Sequence, residues 1–121
     1  MKLISREELG DKIEKGEDLK LVFVLGEWQY QAMRIPGSLN IPCSPELIGS
    51  RDALEELRPD DQIVVYCSSE ACFASISVYY LLMQRGYKNV RRYAGGLLDW
   101  QDAGYPMVGS VAFTEEGGML S

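Results

Sequence analysis

Apolar positions along the chain follow two spacings, and the two alternate. "LKLVFVLG" (Leu19–Gly26) and "QIVVYC" (Gln62–Cys67) are continuous apolar runs, the pattern of strands buried on both faces. "NVRRYA" (Asn89–Ala94) predicts a last strand, and "RIPGSLNIP" (Arg34–Pro42) a Pro-Gly turn entering a short one. Helical spacing fills the intervals. In "SREELGDKIEKG" (Ser5–Gly16), Leu9 and Ile13 share a face, Ser5 with Glu8 predicts a capping box, and Glu8–Lys12 and Asp11–Lys15 are i,i+4 pairs before Gly16 ends the helix. "EWQYQAM" (Glu27–Met33), "SPELI" (Ser44–Ile48) and "RDALEELRPDD" (Arg51–Asp61) predict short helical pieces, with Asp52 and Glu55 capping the last and Pro59 stopping it. A longer helix follows Cys67. It begins somewhere between Ser69 and Ser75, carries Ala74, Val78, Leu81 and Leu82 on one stripe, and ends at Gly86. "GGLLDWQDAG" (Gly95–Gly104) is the final helix, with Trp100 as a core anchor and Gly95–Gly96 as a tight turn. Strands alternating with helices predict an α/β fold with a mainly parallel sheet covered on both faces.

With 121 residues the chain is one domain long enough for a hydrophobic core. "VGSVAFTEEGGMLS" has no period and reads as a flexible C-terminal tail, which divides the chain into a domain over 1–107 and a tail over 108–121. The net charge of −6 argues against nucleic acid as a partner, and no basic amphipathic stretch points to a membrane. The apolar runs are too short to span a bilayer, and "MKLISREELGDK" has no apolar signal region, so a cytoplasmic location is expected. Nothing in the pattern specifies an oligomer, and a monomer is the default expectation.

The chemistry concentrates in the cysteines. Cys43, Cys67 and Cys72 are the three cysteines, and the chain has no histidine. That removes Cys–His and Ser–His–Asp constellations and most catalytic zinc sites. With no Cys-x-x-Cys pair either, neither metal nor cofactor is expected. Cys43, after Ile-Pro, reads as a packed thiol. Cys67 ends a strand immediately before a helix, in "VVYCSSEACFAS". Carboxyl ends of parallel strands are where ligands bind in such sheets. Backbone N–H groups of Ser68, Ser69, Glu70, Ala71, Cys72 and Phe73 can form an anion cradle there, which would favour a thiolate or an anionic persulfide. The alternative is that Cys67 is simply a small buried residue. Ser68 and Ser69 read either as helix caps or as donors to bound sulfur.

The order of these motifs resembles the rhodanese-like (sulfurtransferase) family over about residues 3 to 107. "RIPGSLNIP" resembles the family's "GHIPGAINIP", "IVVYC" its strand delivering a catalytic cysteine, and "RGYKNVRRYAGGLLDWQDAGYP" its closing segment. "CSSEACFAS" is similar to a subgroup with a second cysteine five positions on. The resemblance implies a rhodanese-like five-stranded, mainly parallel sheet with helices on both faces. It implies Cys67 as the nucleophile, converted to a persulfide by a small sulfur donor or a persulfidated protein and discharged onto a thiol or other nucleophile.

The chain departs from the family pattern in several places. Phe23, Val24 and Leu25 stand where the family has Asp-Val-Arg, and Arg34 replaces its histidine. Phe23 and Leu25 are therefore expected to pack structurally. Related phosphatases need an Arg where this chain has Phe73, which excludes that chemistry. The loop offers Glu70 and no basic residue before Arg85, so thiosulfate, a dianion, is expected to be a poor donor. Two readings stand: a sulfurtransferase or persulfide carrier, or a catalytically idle rhodanese-like binding module. Cys72 reads either as a resolving thiol, leaving a disulfide that a thioredoxin-like partner would reduce, or as a packed residue in the first helical turn.

Overall fold

The computed structural model describes residues 1–43, 54–69 and 71–110. The expected helical pieces at Ser44–Ile48 and at the start of Arg51–Asp61, the Asp52 cap, Glu70 and the tail beyond Ser110 lie outside the described residues.

The first helix, α1 (Arg6–Glu14), starts where expected because the Ser5 hydroxyl accepts the Glu8 N–H at 3.0 Å. Only that half of the capping box forms. The Glu8 carboxylate turns instead to Arg91, which donates to it through both terminal nitrogens at 2.6 and 2.8 Å. A bidentate guanidinium partner outcompetes a backbone amide for a carboxylate. Asp11 and Lys15 pair at 2.9 Å, whereas Lys12 bonds Glu17 rather than Glu8.

Strand β1 (Lys20–Phe23), helix α2 (Glu27–Ala32), strands β2 (Ser38–Asn40) and β3 (Ile63–Tyr66), helix α3 (Ala74–Gln84), strand β4 (Val90–Arg92) and helix α4 (Gly96–Asp102) follow. The strands form one parallel sheet in the order β2-β1-β3-β4. Among the described residues the sheet has four strands, not five. The place of a fifth is taken by a single parallel bridge between Leu3 and Arg92, in which Arg92 N–H bonds Lys2 O and Ile4 N–H bonds Arg92 O. Ser5 caps α1 directly afterwards, so the extended segment is too short to become a strand.

Both sheet faces are covered, as continuous apolar strands require. On one face Val22, Val24, Ile63, Val65, Cys67 and Val90 pack with Val78, Tyr79 and Leu82 of α3. On the other, Leu21, Phe23, Val64 and Tyr66 pack with Leu9 of α1 and with Leu97 and Trp100 of α4. The Trp100 indole N–H donates to Pro106 O at 2.9 Å, so this anchor is both buried and hydrogen-bonded. Past Met107 the backbone still pairs with the body: Val108 and Arg34 exchange two hydrogen bonds of 2.9 Å. Among the described residues no helix is long and apolar enough to cross a membrane.

Candidate functional site: the Cys67–Cys72 loop and its buried arginine

Cys67 immediately follows β3 at the carboxyl edge of the sheet. Side chains alternate along a strand, so Val65 and Cys67 point to the α3 face while Tyr66 points to the α1/α4 face. Cys67 is 1% exposed. The loop after it is fastened from α4: Leu97 N–H donates to Cys67 O and Leu98 N–H to Ser68 O, both at 2.8 Å. This approach needs glycine at position 96. Gly96 has φ +70°, and a Cβ there would sit 2.6 Å from Cys67 O and 2.9 Å from backbone atoms of Ser68 and Ser69.

The loop folds back so that the sulfurs of Cys67 and Cys72 are bonded, their Cα atoms 6.5 Å apart. Cys72 is half-buried and precedes the helix rather than occupying its first turn, because α3 begins only at Ala74. The N-cap position is Phe73 and makes no side-chain capping bond, so Ser68 and Ser69 are not caps. Around the Cys67 sulfur lie Cys72 O and Ser75 Oγ, each at 3.7 Å, and Ser69 O at 3.9 Å. The Cys72 N–H is engaged with Ser69 O at 3.1 Å, so in this oxidised form that amide closes a turn. Ala71 is exposed, and the Phe73 ring is 75% exposed on the rim. Cys43, expected to be packed, is exposed: it lies past the end of β2, where its backbone N–H is held by Val24 O.

The residues missed in the sequence are Arg92 and Ser75. The loop itself carries no described basic side chain, but the fold supplies one from β4. In the parallel register Val65 pairs with Arg92, so Arg92 shares the sheet face of Val65 and Cys67. It is 6% exposed. Its Nε donates to Ser75 Oγ at 2.8 Å, and one terminal nitrogen lies 3.5 Å from Cys72 O. The loop itself thus lacks a basic residue, as the sequence shows, and the cation near it comes from a neighbouring strand. The signal was present in "NVRRYA": with Val90 pointing into the core, period-two alternation points Arg92 inward as well.

Two tyrosines brace the opposite face. The Tyr66 hydroxyl is hydrogen-bonded to Ser38 Oγ at 2.6 Å and accepts the Ile35 N–H at 3.0 Å, and burial pushes it up to about 12. The Tyr93 phenol is also pushed up, first by burial and then by its bond to the Asp99 carboxylate, which Arg6 pairs at 2.9 Å. Phe23 and Leu25, at the positions of the family's acidic and basic residues, line the core: Phe23 is 1% exposed, 5.2 Å ring-to-ring from Tyr66, and Leu25 packs against both clusters.

Comparison with known proteins bears on the family and the fold. Residues 5–103 match the model of the rhodanese-like domain. A sulfurtransferase of Allochromatium vinosum is 32% identical over 105 residues, covering 87% of this chain and 92% of that protein. An HTH-type transcriptional regulator of Mycobacterium tuberculosis is 38% identical over 104 residues; the match covers 86% of this chain but only 43% of the regulator. Among solved structures, a rhodanese with anions from E. coli superposes with a TM-score of 0.58 at 28% identity, over 75% of this chain and 98% of that one. A Bacillus halodurans protein superposes at 0.81 with 24% identity, over 89% and 77%, and supports the fold alone. With the parallel sheet, the cysteine at the end of its third strand and a family match over most of its length, the chain belongs to the rhodanese-like domain family.

Proposed function

We propose that the protein is a sulfurtransferase or persulfide carrier that moves sulfane sulfur through Cys67. The observation that carries this reading is the placement of Cys67 at the carboxyl end of β3, with a second thiol, Cys72, within bonding reach of it. The similarity to a sulfurtransferase over nearly the whole of both chains supports it. In the first step the reduced Cys67 thiolate attacks the sulfane sulfur of a donor. A sulfur–sulfur bond forms at Cys67, the donor's own bond to that sulfur breaks, and the donor leaves as an anion. In the second step an acceptor thiolate takes the outer sulfur and Cys67 departs as thiolate. Cys72 offers a second exit. Its thiolate attacks the inner sulfur, the outer atom leaves as hydrosulfide, and the Cys67–Cys72 disulfide remains. A dithiol reductant of the thioredoxin-like kind then restores both thiols. Thiosulfate is a poor donor in this scheme, because the loop offers Glu70 and no basic residue, and Arg92 is buried and already bonded to Ser75.

A second reading is favoured by one observation, the similarity to part of a transcriptional regulator. Here the domain is a binding or regulatory module in which the two cysteines change state once without turning over. Intact mass after treatment of the reduced protein with thiosulfate, mercaptopyruvate or a persulfidated protein tests both. The proposal expects a gain of one sulfur atom, absent in Cys67→Ala, and many turnovers with an acceptor thiol. Loading of Cys67→Ala equal to wild type overturns the assignment of Cys67. Loading without turnover leaves the module reading in its place.

A further inference from the structure

We infer that Arg92, acting through the Ser75 hydroxyl, is the positioning residue that holds Cys67 as an anion. The inference rests on the proposed role of Cys67 as nucleophile. A guanidinium has only donors, so at 2.8 Å from Ser75 Oγ it takes an oxygen lone pair of the serine. The serine proton is then left to point elsewhere, and the Cys67 sulfur is 3.7 Å from that oxygen. In the disulfide neither cysteine carries a proton, so Ser75 is the only possible donor between the two atoms. Reduction of the disulfide leaves a sulfur beside a hydroxyl that is itself bonded to a buried cation.

Charge balance points the same way. Arg92 is 6% exposed, and among the described residues no carboxylate lies within ion-pair distance of it. A buried cation requires a compensating anion or a full set of acceptors. Its visible acceptors are one hydroxyl and, at 3.5 Å, one carbonyl, that of Cys72. A thiolate or persulfide on Cys67 supplies the missing negative charge from the same sheet face. The Arg92 contact with Cys72 O also draws charge from a carbonyl that otherwise turns its oxygen on the sulfur at 3.7 Å. Among the described residues, the polar side chains bonded to the Cys67 sulfur or to its Ser75 partner are Cys72 from the loop, Ser75 from α3 and Arg92 from β4; Val22, Val24 and Tyr79 pack in the same cluster, and Lys20 shares the sheet face at the opposite end of β1, paired with Ile63. Glu70, also in the loop, lies outside the described residues.

The test reads the thiolate directly and uses no sulfur donor, so its failure is distinct from a failure of the persulfide reading. In the 121-residue chain carrying Cys43→Ala and Cys72→Ala, Cys67 is the only thiol. Its iodoacetamide alkylation rate is followed against pH with Arg92, Arg92→Lys, Arg92→Met and Ser75→Ala, folding being checked by circular dichroism. Arg92→Met and Ser75→Ala are expected to raise the midpoint by about one unit, which slows alkylation about tenfold at pH values well below the parent midpoint. Arg92→Lys, which keeps the charge, is expected to restore most of the rate. Should Arg92→Met fail to fold, Ser75→Ala decides. A Ser75→Ala midpoint within a few tenths of the parent overturns the inference, as does an Arg92→Lys profile no closer to the parent than that of a folded Arg92→Met.

Discussion

Gly96→Ala puts the attachment of the cysteine loop to the test. Gly96 has φ +70°, where an L-residue loses about 1–2 kcal/mol. The new methyl group would lie 2.6 Å from Cys67 O and 2.9 Å from Ser68 C and Ser69 N. All three are backbone atoms, so the loop itself must move. That movement strains the two 2.8 Å hydrogen bonds from Leu97 and Leu98 to Cys67 O and Ser68 O, each with a net value of about 1 kcal/mol. The sum is about 3–4 kcal/mol. Gly104→Ala is the internal control: its φ is +82°, but nothing lies within 4 Å of the added Cβ, so only the conformational cost of about 1–2 kcal/mol applies. Urea unfolding of the two variants, with m-values compared, gives the difference. Gly96→Ala should be the less stable by about 2 kcal/mol and should react more slowly with sulfur donors, while Gly104→Ala keeps wild-type reactivity. Equal losses in the two variants, or unchanged sulfur loading in Gly96→Ala, would refute the claim that α4 holds the loop through this contact.

Phe23→Ala should cost about 3–5 kcal/mol in a denaturant melt, because the ring is buried against Tyr66; a loss near zero would place it outside the core. Tyr66 gives a pH prediction. Its pKa is raised from 10.0 to about 12, so the folded state keeps the proton longer than the unfolded one. That contribution is complete below pH 10.0 and is lost as pH climbs through about 12. In that window the wild type should lose up to about 1.4 kcal/mol per pH unit more than Tyr66→Phe, and parallel curves would dismiss the assignment. For Cys72→Ala, a Cys67 persulfide should persist and release no sulfide, whereas the wild type passes to the disulfide; sulfide release matching wild type would remove Cys72 from that step.

The strands were legible because an uninterrupted apolar run has few alternatives to a doubly covered strand, and Leu21–Phe23 and Ile63–Tyr66 are such runs. Cys67 was legible for the same reason, since it sits where the run stops. Other features depend on partners that sequence order conceals. Glu8 abandons its capping role for Arg91, which comes from the far end of the chain. The expected fifth strand is cut to one bridge by the cap at Ser5. Arg92 was not legible because the segment following Cys67 carries no basic residue before Arg85. A parallel register instead brings groups to a site from a neighbouring strand, at a sequence distance that no local motif encodes.

The bridge between Leu3 and Arg92 covers a flank of β4 that would otherwise present free amides and carbonyls to solvent. An uncovered strand of this kind is a template for pairing with another molecule. Residues Lys2–Ile4 thus occupy the pairing groups of Arg92, and the strand they cover is the one that carries Arg92 toward Cys67. Recombinant versions trimmed at Ser5, or fused to a stiff leader that pulls Lys2–Ile4 away, would expose that edge and loosen the strand behind Ser75 and Cys67 in the same event.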